Sequence, residues 1–240
     1  MEGLPIIAAN WKTYPSATDA IQFIHHLRGR LEEAEGVEMI ICPPLPLISL
    51  LFDELHPLPA HLSLGAQDVA ESQEPSRTGD CRSELLKAWC KYAIVGHSER
   101  RLYHNETDEI ARSKADQAQV AGLTPIICVG ERTESVDAPL LVAEQLQRSN
   151  RDLDDDYIVA YEPVWAVGAS RPATVEQAGR VLLKLKSVLP RGAAVLYGGA
   201  ADAGTVGGFL EVGFSGVLLG RASLQLQSLL DVVKAAREFI

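Results

Sequence analysis

Eight short apolar runs, each followed by a stretch with helical periodicity, constrain this chain more than any other feature. The runs are Pro5–Ala9, Met39–Cys42, Leu62–Ala66, Tyr92–Val95, Pro125–Val129, Ile158–Tyr161, Ala194–Tyr197 and Gly216–Leu219. Most are continuous rather than alternating, which suits parallel strands covered on both faces. Ile21, Ile24, Leu27 and Leu31 recur at helical spacing behind Ser16 or Thr18 as N-cap candidates. Thr174-Val175-Glu176-Gln177 has capping-box form and opens a periodic run to Leu189, where Pro190 and Gly192 stop it. Gly122 and Gly213 close the helices before the fifth and eighth strands.

Eight such units in 240 residues predict an α/β fold, a (β/α)8 barrel spanning 1–240 as one domain, since such barrels take ~250 residues. A doubly wound sheet would place a glycine-rich turn after its first strand, and Asn10-Trp11-Lys12 is not one. No Gly/Ser-rich linker interrupts the pattern.

The net charge of −10 disfavours nucleic acid and anionic membrane surfaces as partners. No apolar run nears the ~20 residues needed to span a bilayer, and Met1–Pro5 has no signal-peptide character. Cys42, Cys81, Cys90 and Cys128 lack zinc-ligand spacing, and Cys42 and Cys128 end apolar runs as small hydrophobes. These features set the expectation of a cytoplasmic location.

In a barrel, chemistry gathers where the strands end. Asn10 and Lys12 follow the first run, Gly96-His97-Ser98-Glu99-Arg100-Arg101 the fourth and Glu162 the sixth; Gly198-Gly199 and Gly220 follow the last two. An amide, an ammonium, an imidazole, a carboxylate and two glycine loops on one rim suit proton transfer beside the carbonyl of a phosphorylated substrate. The carboxylate takes the proton, the imidazole and ammonium stabilise the oxyanion, and backbone N–H groups hold the phosphate. Taken singly, each has a structural reading: a satisfied core histidine, a surface lysine, a carboxylate paired with a buried arginine, a glycine turn. Their joint placement on one rim favours chemistry. Arg100 and Arg101 read as scaffold, and Glu99 as a supporting group at a helix start.

Asn10-Trp11-Lys12, Gly96–Arg101, Cys128-Val129-Gly130-Glu131, Tyr161–Gly168 and Tyr197-Gly198-Gly199 together resemble the triosephosphate isomerases, in the family's order, from about residue 6 to about residue 224. The resemblance implies a TIM barrel, glycolytic and gluconeogenic chemistry, and interconversion of dihydroxyacetone phosphate and D-glyceraldehyde 3-phosphate through an enediolate, with no cofactor and no metal. It implies Glu162 as base, His97 as neutral electrophile and Lys12 as enediolate stabiliser, a division of roles that is itself a standard worked case. Asn10, Lys12, Gly168, Ala200, Gly220 and Arg221 would bind substrate. Residues 163 to about 173 would form a lid. Val167 and Leu218 would flank the carboxylate in the closed state and raise its pKa by desolvation. Tyr197 and Ala173 would pair on closure. Thr78, in the segment from Asp68 that matches the family's docking loop, implies a homodimer.

Departures from the family pattern are Ala169-Ser170-Arg171-Pro172 in the lid, Ala200 for a serine, Arg221 for a phosphate-loop glycine, and a shorter stretch at about 132 to 157. Losing a hydroxyl at Ala200 is expected to weaken lid closure by roughly 0.5–1.5 kcal/mol. The altered lid and Arg221 leave two alternatives open, an isomerase of a four-carbon sugar phosphate and a catalytically retired barrel serving as an interaction protein.

Overall fold

The computed structural model describes residues 3–166 and 172–239. Eight parallel strands pair in sequence order and close, β1 against β8. They are β1 (Ile6–Asn10), β2 (Glu38–Cys42), β3 (Leu62–Ala66), β4 (Tyr92–Val95), β5 (Thr124–Val129), β6 (Ile158–Tyr161), β7 (Ala194–Tyr197) and β8 (Gly216–Leu219). The helices among the described residues are α1 (Ala17–Arg28), α2 (Ile48–Leu55), α3 (Ser83–Leu86), α4 (Ser98–Tyr103), α5 (Asp108–Ala121), α6 (Ala138–Ser149), α7 (Val175–Lys186), α8 (Val206–Glu211) and α9 (Leu226–Arg237). The expected barrel is the observed one, with end shifts of a residue at β1, β2 and β5. The shift at β1 matters, because it makes Asn10 the last strand residue rather than the first of the loop.

The continuous apolar runs are explained by two cores, one on each face of the strands. Ala8, Ile40, Ile94, Ile126, Cys128, Ala160, Leu196 and Leu218 fill the barrel. Their neighbours Ile7, Ile41, Val95, Ile127, Val159, Val195 and Val217 face the helices. Side chains alternate across a strand, so each run must be apolar on both faces. Burying one such aliphatic side chain contributes roughly 1.5–3 kcal/mol.

The caps are as the sequence predicts. Ser16 accepts from the Asp19 N–H at 3.2 Å while Asp19 accepts from the Ser16 N–H at 3.3 Å. Thr174 and Gln177 exchange the same pair of bonds. Gly122 ends α5 at φ +85°, a conformation open to glycine without a Cβ penalty. Two helices stop earlier than their patterns suggest. α1 ends at Arg28, so Leu31 falls in a separate 3-10 turn, and α7 ends at Lys186 before Leu189.

Candidate active site

Strand ends bring the reactive groups together. Asn10 closes β1, Glu162 follows β6, and His97 caps α4 just after β4; all three are buried. The His97 Nε2 lies 2.9 Å from Glu162 Oε1. Its Nδ1 accepts the backbone N–H of Glu99 at 3.2 Å. An accepting Nδ1 must carry its lone pair, so keeping this bond requires a ring whose proton sits on Nε2. That proton faces the carboxylate.

The other Glu162 oxygen accepts the Ser98 N–H at 2.9 Å. Burial alone would raise the Glu162 pKa, yet His97, the Ser98 N–H and Lys12 outweigh it and hold the carboxyl below its ordinary value. In this geometry two donors occupy the carboxylate, whereas the rise expected on lid closure involves Val167, which lies outside the described residues. Burial likewise disfavours a charged His97, but the Glu162 carboxylate lifts it above its ordinary value. Protonation would cost the Glu99 N–H bond.

Lys12 reaches the same rim through an uncommon backbone. Its φ is +50°, a left-handed conformation that is unfavourable for a side chain of this length. Neighbours over-determine it: the Lys12 N–H donates to Asn10 Oδ1 at 3.0 Å, and Gln67 Nε2 donates to the Lys12 carbonyl at 2.6 Å and to the Cys42 carbonyl at 2.9 Å. The Lys12 ammonium pairs with Glu99 at 2.5 Å. A Cβ on Gly220 would stand 3.8 Å from Lys12 Cε, which places the loop after β8 beside the ammonium.

The glycines around Glu162 are required by close approach. A Cβ on Gly130 would lie 1.7 Å from the Glu162 carbonyl oxygen, and one on Gly198 would lie 2.8 Å from Glu162 Cγ. A Cβ on Gly199 would meet the Tyr197 hydroxyl at 2.2 Å.

The remaining expected residues scatter. Leu218 is buried in the barrel interior. Tyr197 instead points to the helix layer, stacked on Phe209 at 3.7 Å, and its hydroxyl has no partner among the described residues. Ala200 and Arg221 are exposed at the rim. Arg221 avoids positive φ. Thr78 lies in an exposed loop. Val167 and Gly168 lie outside the described residues. Arg101 is scaffold, as expected: it donates to the Gly96 carbonyl at 2.7 Å and pairs with Asp108 at 2.6 Å.

A sequence model described as triosephosphate isomerase matches residues 5–236. The chain belongs to the triosephosphate isomerase family. It is 33% identical to the Leifsonia xyli triosephosphate isomerase, with 100% of both chains covered. It is 36% identical to the Stenotrophomonas maltophilia relative, over 96% of this chain and 97% of that one. The crystal structure of triosephosphate isomerase from Bartonella henselae superposes with a TM-score of 0.86 at 29% identity, covering 98% of this chain and all of that one. The family makes the chain an isomerase.

Sequence reasoning gave no role to three groups that the geometry places at the site. Gln67 follows β3 and holds the Lys12 carbonyl. The Ser98 N–H holds the carboxylate, a backbone role that residue type does not signal. Glu131 is buried and accepts from the Tyr161 hydroxyl at 3.1 Å and from Trp165 Nε1 at 2.6 Å. It thereby anchors the chain just after Glu162.

Proposed function

We propose that the chain interconverts dihydroxyacetone phosphate and D-glyceraldehyde 3-phosphate, with Glu162 as base, His97 as electrophile and Lys12 as the cation for the enediolate. The juxtaposition of the Glu162 carboxylate with His97 Nε2 at 2.9 Å, while Nδ1 accepts the Glu99 N–H, carries this reading. The substrate carbonyl oxygen replaces Glu162 as acceptor at Nε2. That exchange frees the carboxylate to take a proton from the adjacent carbon. As the C–H electrons move into the carbonyl, its oxygen gains charge against Nε2–H and the Lys12 ammonium. The hydroxyl proton on the neighbouring oxygen passes by way of His97 Nε2 to the former carbonyl oxygen, Glu162 returns its own proton to the former carbonyl carbon, and the aldose and ketose have exchanged places.

Losing the imidazole donor also removes one of the groups that oppose burial of the carboxylate and raises its basicity at the moment it is needed. Asn10 fixes the Lys12 backbone. The Gly220–Arg221 loop, the Ala200 N–H and Gly168 would receive the phosphate, with Lys12 adding its charge. Replacing Glu162 by Gln should lower kcat by about 10³-fold, within the ~10²–10⁴ typical of a positioned acid–base group. Native turnover in Glu162→Gln would exclude it as the base.

We infer further that two copies associate. A cleft of about 1130 Å³ runs from Asn10, Lys12 and His97 to Arg77, Gly79 and Asp80, with Tyr14, Leu45 and Tyr103 on its walls. Those three large side chains are exposed in the isolated chain, an apolar rim of the kind protein interfaces cover. Sedimentation at micromolar concentration should give twice the 26.0 kDa chain mass, and a monomer would reject the pairing. A cytoplasmic location fits the four free cysteines; no helix among the described residues is long and apolar enough to cross a membrane.

A further inference from the structure

Next to the rim lies a buried ion network that the reaction itself does not use. Lys114 is 5% exposed and donates to both Asp68 oxygens, at 2.6 and 2.8 Å, and to Glu106 at 2.5 Å. Arg100 pairs with Asp68 at 2.9 Å and with Glu106 at 2.7 Å. Two cations face two carboxylates, so the cluster is balanced. Burial pushes the Asp68 carboxyl above its ordinary value, and Lys114 and Arg100 offset this only in part.

Chain connectivity links this cluster to the catalytic lysine from both sides. Asp68 follows Gln67, whose side chain holds the Lys12 carbonyl at 2.6 Å. Arg100 follows Glu99, whose carboxylate holds the Lys12 ammonium at 2.5 Å. The contacts form a closed ring: Lys12 to Glu99, along the chain to Arg100, across to Asp68, along the chain to Gln67, and back to Lys12. We propose that Asp68 is a positioning residue for catalysis, closing a ring that clamps both ends of Lys12 between the end of β3 and the start of α4. The ring works on a residue at φ +50°, whose backbone would otherwise relax. It also tethers the turn that carries His97 and the Ser98 N–H. This inference rests on the role of Lys12 proposed above.

The test compares steady-state kinetics of Asp68→Asn, which keeps the shape and removes the charge, with those of the full-length native chain. Misplacing a catalytic group by a fraction of an ångström lowers turnover without weakening ground-state binding, so kcat should fall roughly tenfold with KM within about twofold. In a Glu99→Gln background the ring is already open, and Asp68→Asn should then change kcat by less than about twofold. Thermal unfolding and sedimentation of each variant separate this effect from loss of fold or of association. If Asp68→Asn does not fold, Arg100→Lys opens the same ring and carries the same expectation.

A kcat within twofold of native, a KM effect alone, or the same tenfold loss in the Glu99→Gln background would overturn the ring. Lys12→Met separates the two levels. If it keeps native turnover, the role of Lys12 falls and the ring with it. If it is inactive while Asp68→Asn is unaffected, only the ring falls.

Discussion

The two mouths of the barrel both place a carboxylate among proton donors, yet they do opposite things with it. At the N-terminal mouth, Glu38 opens β2 and accepts from the Tyr92 hydroxyl and, at 3.1 Å, from Lys91. Burial and Glu38 push the Tyr92 hydroxyl up to about 12, so its proton stays in place across the physiological range. At the C-terminal rim, Glu162 meets an imidazole and a backbone N–H beside a wide cleft. The bottom cluster is closed by a phenol that keeps its proton. The top cluster is held by donors that a substrate oxygen can claim. Strand polarity explains the difference, because parallel strands send all their outgoing loops, and hence Asn10, His97 and Glu162, to one end.

Substitutions at the two mouths should therefore separate activity from stability. Replacing His97 by Gln removes the donor aimed at the developing oxyanion and should cost about 10²–10³ in kcat; initial-rate measurements check it, and a loss below tenfold would remove His97 from the chemistry. Gly198→Ala puts a methyl group 2.8 Å from Glu162 Cγ and displaces the base; kcat should fall by about 10–10² with the fold retained. Unaltered turnover there would show that the carboxylate does not need its observed position. Glu38→Gln should leave kcat within twofold and lower stability by about 1 kcal/mol, a drop in Tm of roughly 2–4 °C for a chain of this size. A lost activity would break the division between the mouths.

The smallest effect is a pH dependence. Glu162 is held below the ordinary carboxyl value of 4.5, so the unfolded chain binds its proton more readily than the folded one. Its contribution to stability is complete above pH 4.5 and is lost as pH falls through the lower folded value. Denaturant titrations of native protein and Glu162→Gln should converge in that acid window. Parallel curves would show that the partners of Glu162 do not stabilise its charge.

Most of the architecture was legible in the sequence because its signals are local. Strand runs, the Ser16 and Thr174 caps and the Gly122 stop depend on neighbours within a few residues. Strand ends then located Asn10, Lys12, His97 and Glu162 on one rim. Two things were not legible. Gln67, Ser98 and Asp68 act through contacts between segments 46 to 64 residues apart, and Ser98 acts through its backbone. The direction of the Glu162 pKa was also hidden, because it depends on whether His97 and the Ser98 N–H reach the carboxylate or leave it to its apolar walls. Residue types alone carry no such distances.

The central claim is that one carboxylate, Glu162, carries the proton between adjacent carbons of the substrate. Running the isomerisation in D2O tests it directly, since a proton held on a carboxyl exchanges with solvent before it is returned. Native protein should deliver product carrying deuterium at the carbon that received the proton. Glu162→Gln should lose conversion and deuterium incorporation together. Product that forms at the native rate with deuterium at that carbon in Glu162→Gln would place the base elsewhere.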